Sequence, residues 1–99
     1  MSRTIGSAIG TVSLISPSGT LEIHPSGSEE WVIHNLYFGE ATFDIQIISS
    51  NATITFDSFP GPGALTGFWF HLTNSQYLRI INKGSETIPA GYDGIVTKV

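Results

Sequence analysis

Three histidines, His24, His34 and His71, have the widest chemical repertoire in this chain, because imidazole is both the commonest metal ligand and a ready general base. A cupin-type metal site needs two histidines two positions apart on one strand with a glutamate shortly after, and neither His34 nor His71 has such a partner. Glu29 and Glu30 are adjacent, so an extended backbone sends them to opposite faces and they do not converge as an acid and base pair. The chain has no cysteine and no G-x-S-x-G turn, and no serine, histidine and acid set is implied by spacing. The glycines of FPGPGALTG resemble a phosphate loop only in composition, since no lysine follows and no helix is predicted for the loop to introduce. Asn51, Ala52 and Thr53 match a glycosylation acceptor, a match read as accidental without a secretory leader. The expectation is a protein with no catalytic residue, no cofactor and no metal.

Aromatic residues carry more information. Trp31, Tyr37, Phe59, Phe68, Trp69 and Phe70 are many for a thin β interior, and strict alternation cannot send all of them inward. Some are expected to be covered by another subunit or a ligand, with subunit contact favoured over a sugar platform, and Tyr37, Phe59, Trp69 and His71 are the candidate interface residues.

The elements that position these residues follow from alternation and turn signals. The most apolar stretch, GFWFHLTNSQYLRIIN over 67–82, predicts a hairpin of two long strands with Asn74 and Ser75 at its turn. Its partner is EWVIHNLYF at Glu30–Phe38, bulky on both faces, and the two are expected to form the middle of one sheet, with His34 near His71. Further strands are predicted at Ala8–Ile15, 20–24, 41–48, 52–57 and 92–99. Gly39 and Glu40 suit a hairpin connection, and Ile54 and Phe56 are expected to face inward. Residues 58–64, SFPGPGA, predict a long loop, and Pro89, Ala90 and Gly91 a break before the last strand. No segment sustains a helical period. About eight short strands in 99 residues predict one all-β domain, an antiparallel two-sheet sandwich of jelly-roll type, with the polar residues 1–7 as an arm that orders on docking.

Composition supports this class and narrows the partners. Ile, Val and Thr number 27, while charged residues are 12%, about half the usual share of roughly 25%. A net charge of −4 argues against nucleic acid, which calls for a basic stripe. No run approaches the roughly 20 apolar residues that cross a bilayer, so no membrane partner is expected and synthesis is placed in the cytoplasm.

The combination of EEWVIHNLYF at 29–38, GFWFHLTNSQYLRIIN at 67–82 and GYDGIVTKV at 91–99 resembles small virion accessory proteins encoded among the structural genes of tailed bacteriophages. The resemblance runs from Leu21 onward, and the SFPGPGA stretch is its least matched part. It implies a non-enzymatic capsid decoration or cement protein on the capsid exterior, made in the host cytoplasm. The implied partners are the major capsid protein and further copies of the chain itself, a homo-oligomer with the trimer favoured. Two other readings stand beside it: a tail or fibre module that binds carbohydrate in an aromatic groove, and a small cupin-like metalloenzyme.

Overall fold

The computed structural model describes residues 4–99, without the side chains of residues 67–69. Eight strands are present: β1 (Ala8–Ile15), β2 (Thr20–Ile23), β3 (Glu30–Phe38), β4 (Thr42–Ser49), β5 (Ala52–Pro60), β6 (Gly63–Leu72), β7 (Gln76–Asn82) and β8 (Ile88–Lys98). They form two antiparallel four-stranded sheets in the orders β1-β8-β3-β6 and β2-β7-β4-β5. This is the jelly-roll order, in which the chain passes repeatedly between sheets and buries one face of each. The all-β sandwich read from the sequence is the observed fold.

The core lies between the inner faces. Ile9, Ile15, Trp31, Ile33, Leu36, Phe38, Leu72 and Val96 come from the first sheet, and Ile23, Phe43, Ile45, Leu78 and Ile80 from the second. A β-bulge between Ile33 and Asn35 explains how β3 contributes so much. Without it, the spacing from Ile33 to Leu36 would place these two side chains on opposite faces. The extra residue restores the phase, so Trp31, Ile33, Leu36 and Phe38 are all buried. Phe38 stacks on Phe59 with ring centroids 4.7 Å apart and meets Phe43 at 5.3 Å, joining the two sheets at one end.

Several expectations are corrected. The 67–82 stretch is not a hairpin in the middle of one sheet: β6 is an edge strand of the first sheet, and β7 is an inner strand of the second. The short 73–75 connection carries the chain across the sandwich, a turn whose residues look the same whether the flanking strands pair or part. Glu30–Phe38 is an inner strand as expected and does pair with β6, but β3 and β4 are not a hairpin, because Gly39 to Ala41 also cross between sheets. Ile54 and Phe56 do not face a closed interior, being 60% and 42% exposed. Residues 58–64 are not a long loop. β5 runs on through Pro60 and β6 begins at Gly63, which leaves only Gly61 and Pro62 between them. Pro60 is tolerated there because an edge strand needs no hydrogen bond on its free side. Nor does Pro89 break the last strand: it sits at the second position of β8, opposite Leu14, where its carbonyl accepts from the Gly39 amide at 2.8 Å. Of the N-terminal arm, Gly6 N–H donates to the Val96 carbonyl at 2.7 Å and the Ser7 carbonyl accepts from Val96 N–H at 3.0 Å, so this end is tied to β8.

Candidate interaction surface

The outward faces of the two sheets differ in chemistry, and the strand register shows how. On the β2-β7-β4-β5 sheet, Glu22, Arg79, Gln46 and Thr55 form one row across all four strands. The Arg79 Nε and Nη2 groups donate to Glu22 Oε2 at 3.1 and 2.9 Å, and Gln46 Nε2 donates to Thr55 Oγ1 at 3.0 Å. Nearby, Ser58 Oγ donates to Asp44 Oδ1 at 3.1 Å. This face is a polar row with hydrogen bonds at three places along it, while the Gln46 Oε1 atom is buried and has no hydrogen-bond partner among the described residues.

The opposite face presents a different row. Val12, Gly91, Tyr37 and Ala64 lie side by side across β1, β8, β3 and β6, with Leu14 and Pro89 paired beyond them. Val12 is 70% exposed and Leu14 75%, far more than aliphatic side chains on an ordinary solvated sheet need be. Val12, Tyr37, Pro89 and Gly91 also line a shallow depression of about 190 Å³ with almost no polar wall. One row further along, Asp93 and Asn35 are paired by register, and Asn35 Nδ2 donates to Asp93 Oδ1 at 2.8 Å while the Tyr37 hydroxyl donates to Asp93 Oδ2. The single carboxylate of this strip is thus capped by two neutral donors.

That arrangement raises the Tyr37 pKa above the ordinary tyrosine value of 10.0, chiefly because the hydrogen bond to Asp93 favours the protonated phenol, with desolvation and the Asp93 charge adding to it. Because the folded value is raised, the contribution of this contact to stability is fully present below the unfolded pKa. It is lost as pH rises through the folded one. Spectrophotometric titration of the folded protein against Tyr37→Phe is expected to show a late-ionising phenol, and Asp93→Asn should move it back toward the ordinary value. Unchanged titration in Asp93→Asn would disprove the assignment.

The four candidate interface residues fall in three places. Tyr37 and His71 share the outward face of the first sheet, His71 opposite Val32 on β3 and Tyr37 opposite Ala64 on β6. Phe59 belongs to the other sheet and packs against the core, and the Trp69 side chain lies outside the described residues. His71 Nε2 lies 2.9 Å from Glu30 Oε1, and Lys98 Nζ lies 3.6 Å from Glu30 Oε2. His34 occupies the bulge of β3, on a strand adjacent to that of His71, while His24 is on the other sheet's side, stacked on Tyr77 at 3.8 Å with Nε2 donating to the Asn74 carbonyl at 2.6 Å. Among the described residues no group of three or more His, Cys, Asp or Glu side chains converges as a metal site. A polar recess of about 220 Å³ at one loop end is walled by Glu29, Glu30, Thr73, Asn74 and Lys98, with no aromatic ring on it for a sugar to stack against. Sequence reasoning missed Val12 and Leu14. Their alternation with Ile9 and Ile15 was visible, but both sets are apolar, so the pattern alone does not say which face is outside. No protein-family profile matches the chain, and no curated protein matches it.

Proposed function

We propose that this chain is a non-enzymatic structural protein of a tailed-bacteriophage virion that binds and stabilises the outside of the capsid as an oligomer, in contact with the major capsid protein. The observation that carries the reading is the contrast between the two outward faces: one carries a row of polar and charged side chains, the other a flat row of exposed Val12 and Leu14 with Tyr37, Pro89 and Gly91. A small rigid sandwich suits such a task, because a preorganised surface loses little conformational entropy on docking. The near absence of charge on the apolar row also suits docking, since few ions need be desolvated there. The jelly-roll fold by itself hosts many functions, so the weight rests on the surface and on the resemblance of the strand motifs to phage accessory proteins.

Co-sedimentation with expanded phage capsids tests the reading. Burying a Val or Leu side chain is worth roughly 1.5–3 kcal/mol, so Leu14→Glu is expected to weaken capsid binding at least about tenfold. Arg79→Ala, on the polar face, should leave binding nearly unchanged. A folded protein with no affinity for capsids, or one whose binding responds to Arg79 and not to Leu14, would sink the proposal.

A further inference from the structure

β5 departs from a regular strand at Phe56. Ile45 of β4 faces Asp57 while Gln46 faces Thr55, so Phe56 is the extra residue of a β-bulge. On a regular strand neighbouring side chains point to opposite faces, which would separate Phe56 from Asp57. The bulge instead brings both onto the open side of the sandwich, where they line a cleft of about 310 Å³ with Leu65 and Phe70 of β6. The Phe56 and Phe70 rings lean on one another there, with centroids 5.7 Å apart and planes at 42°.

A bulge and an inward charge blunt an edge strand against pairing. That task needs neither a cleft nor two aromatic rings beside the charge. The charge is also uncompensated: among the described residues Asp57 is in no ion pair, and its carboxylate accepts through Oδ1 from the Ser58 amide at 2.8 Å. β5 and β6 carry no lysine or arginine, Arg79 is held by Glu22, and Lys98 lies beside Glu30. Charge complementarity therefore asks for a cation in the cleft, and the aromatic wall selects its kind. A primary ammonium brings three N–H donors and a tight hydration shell, whereas Asp57 is the only polar side chain on the described lining. A quaternary ammonium has no N–H to satisfy, and its methyl groups pack on ring faces that attract positive charge. The cleft lies at the lower end of the roughly 300–1,000 Å³ usual for small-molecule sites, so the ligand is small.

We propose that this cleft binds a small quaternary ammonium compound of choline size, with Asp57 as its counter-ion and Phe56 and Phe70 as its aromatic wall. The site lies between β5 and β6 and shares no residue with the Val12 and Leu14 row, so it neither rests on the virion reading nor competes with it.

Choline is the probe, titrated at constant ionic strength so that screening stays fixed, with side-chain resonances followed by nuclear magnetic resonance. The Phe56, Phe70 and Asp57 signals are expected to shift together with a dissociation constant on the order of 1 mM. The neutral carbon analogue of choline, with a tert-butyl group in place of the trimethylammonium, should bind at least about tenfold more weakly, and n-butylammonium more weakly than choline. Asp57→Asn keeps an acceptor for the Ser58 amide while losing the charge, and is expected to weaken choline binding at least about tenfold. Phe56→Leu keeps an apolar wall without the ring and should weaken it about fivefold. Circular dichroism of both variants should stay that of the folded protein. No shift at these signals up to roughly 20 mM choline would overturn the proposal and leave the bulge and Asp57 as edge protection only. So would equal affinity for the neutral analogue, tighter binding of n-butylammonium, or an Asp57→Asn protein that binds choline like wild type. Equal shifts at Glu40 and Glu86 would overturn it too, because they mark a general counter-ion atmosphere. All of these are read without capsids. A choline-binding protein that ignores capsids therefore counts against the virion reading alone, and a capsid-binding protein that ignores choline counts against this one alone.

Discussion

Asn82→Ala is expected to remove about 3–5 kcal/mol of folding stability, a large part of the 5–15 kcal/mol typical of a small domain. Asn82 ends β7 and is fully buried, the only polar residue so placed among the described residues. Its amide spends all its principal bonds on backbone. Nδ2 donates to the Ile15 and Glu86 carbonyls, both at 2.8 Å, and Oδ1 accepts from the Gly84 N–H at 2.8 Å. Its main chain bridges as well, through Ser18 N–H at 2.9 Å and the Gly19 carbonyl at 3.1 Å. One side chain thus clamps the end of β1, the turn after it and the connection into β8. Truncation strands two carbonyls and one amide, each costing about 1–3 kcal/mol when left unpaired, with the Glu86 and Gly84 groups at the lower end because water can reach them. Asn82→Asp separates shape from hydrogen bonding. At neutral pH it puts a carboxylate against two carbonyls, and burial raises its folded pKa above the unfolded value of about 3.9. The added penalty is therefore present at pH above that folded pKa and declines as pH falls through it, where the protonated acid regains one donor. Urea denaturation at pH 7 and pH 4 should show Asn82→Asp closing part of its gap to wild type, while Asn82→Ala keeps a constant one. Equal gaps at both values would show that the amide donors are not what matters.

The reach of the sequence is clearest where alternation and turn chemistry agree. The bounds of β1 and β3 are legible to the residue, because Ala8–Ile15 ends at the Ser16-Pro17-Ser18-Gly19 turn cluster and because Glu30–Phe38 is bulky throughout. The jelly-roll class follows from the number and spacing of such segments. Pairing is less legible. The connections at 39–41, 50–51, 61–62 and 73–75 are all short, yet only 50–51 joins two paired strands. Local residues set how tightly a chain turns and not which sheet receives it. Ile54 and Phe56 show the same limit from another side, since alternation names the face a side chain takes but not whether a second sheet extends far enough to cover it. At the candidate surface, Tyr37 and Asp93 are 56 residues apart, and only the β3 and β8 register brings them together. Asn82 had a local signal. A residue whose side chain accepts from the amide two positions on forms an Asx turn, and Asn82-Lys83-Gly84 has the residues for one. Its burial, by contrast, depends on Ile15, 67 positions away.

Gly94→Ala is expected to cost about 2–3 kcal/mol, although alanine is the better residue for an ordinary strand. Gly94 lies in β8 between Ile9 of β1 and Ile33 of β3. A Cβ there would press on the Val32 carbonyl oxygen, with the Ile33 Cα at 2.9 Å and the Val32 carbonyl carbon at 3.0 Å. These are main-chain atoms of an inner strand fixed on both sides, so relief requires β3 and β8 to separate. The gain from restricting the unfolded chain, roughly 0.4–1 kcal/mol, is too small to offset that. Gly10 supplies the comparison. Its Cβ would meet the Tyr92 carbonyl oxygen at 2.7 Å, a shallower intrusion than at Gly94, and β1 is an edge strand that can move outward as a unit. Gly10→Ala should therefore cost about 1 kcal/mol, and equal losses would refute the argument from strand position. The contact also connects the packing to the surface. Gly94 adjoins Asp93, and the bulge that brings Val32 and Ile33 over Gly94 sets Asn35 opposite Asp93. Forcing the strands apart at residue 94 should lengthen the Asn35 and Tyr37 bonds to that carboxylate. The late titration of Tyr37 should then return toward the ordinary tyrosine value in Gly94→Ala but not in Gly10→Ala, reporting through a phenol on the proposed docking face a clash that occurs inside the sheet.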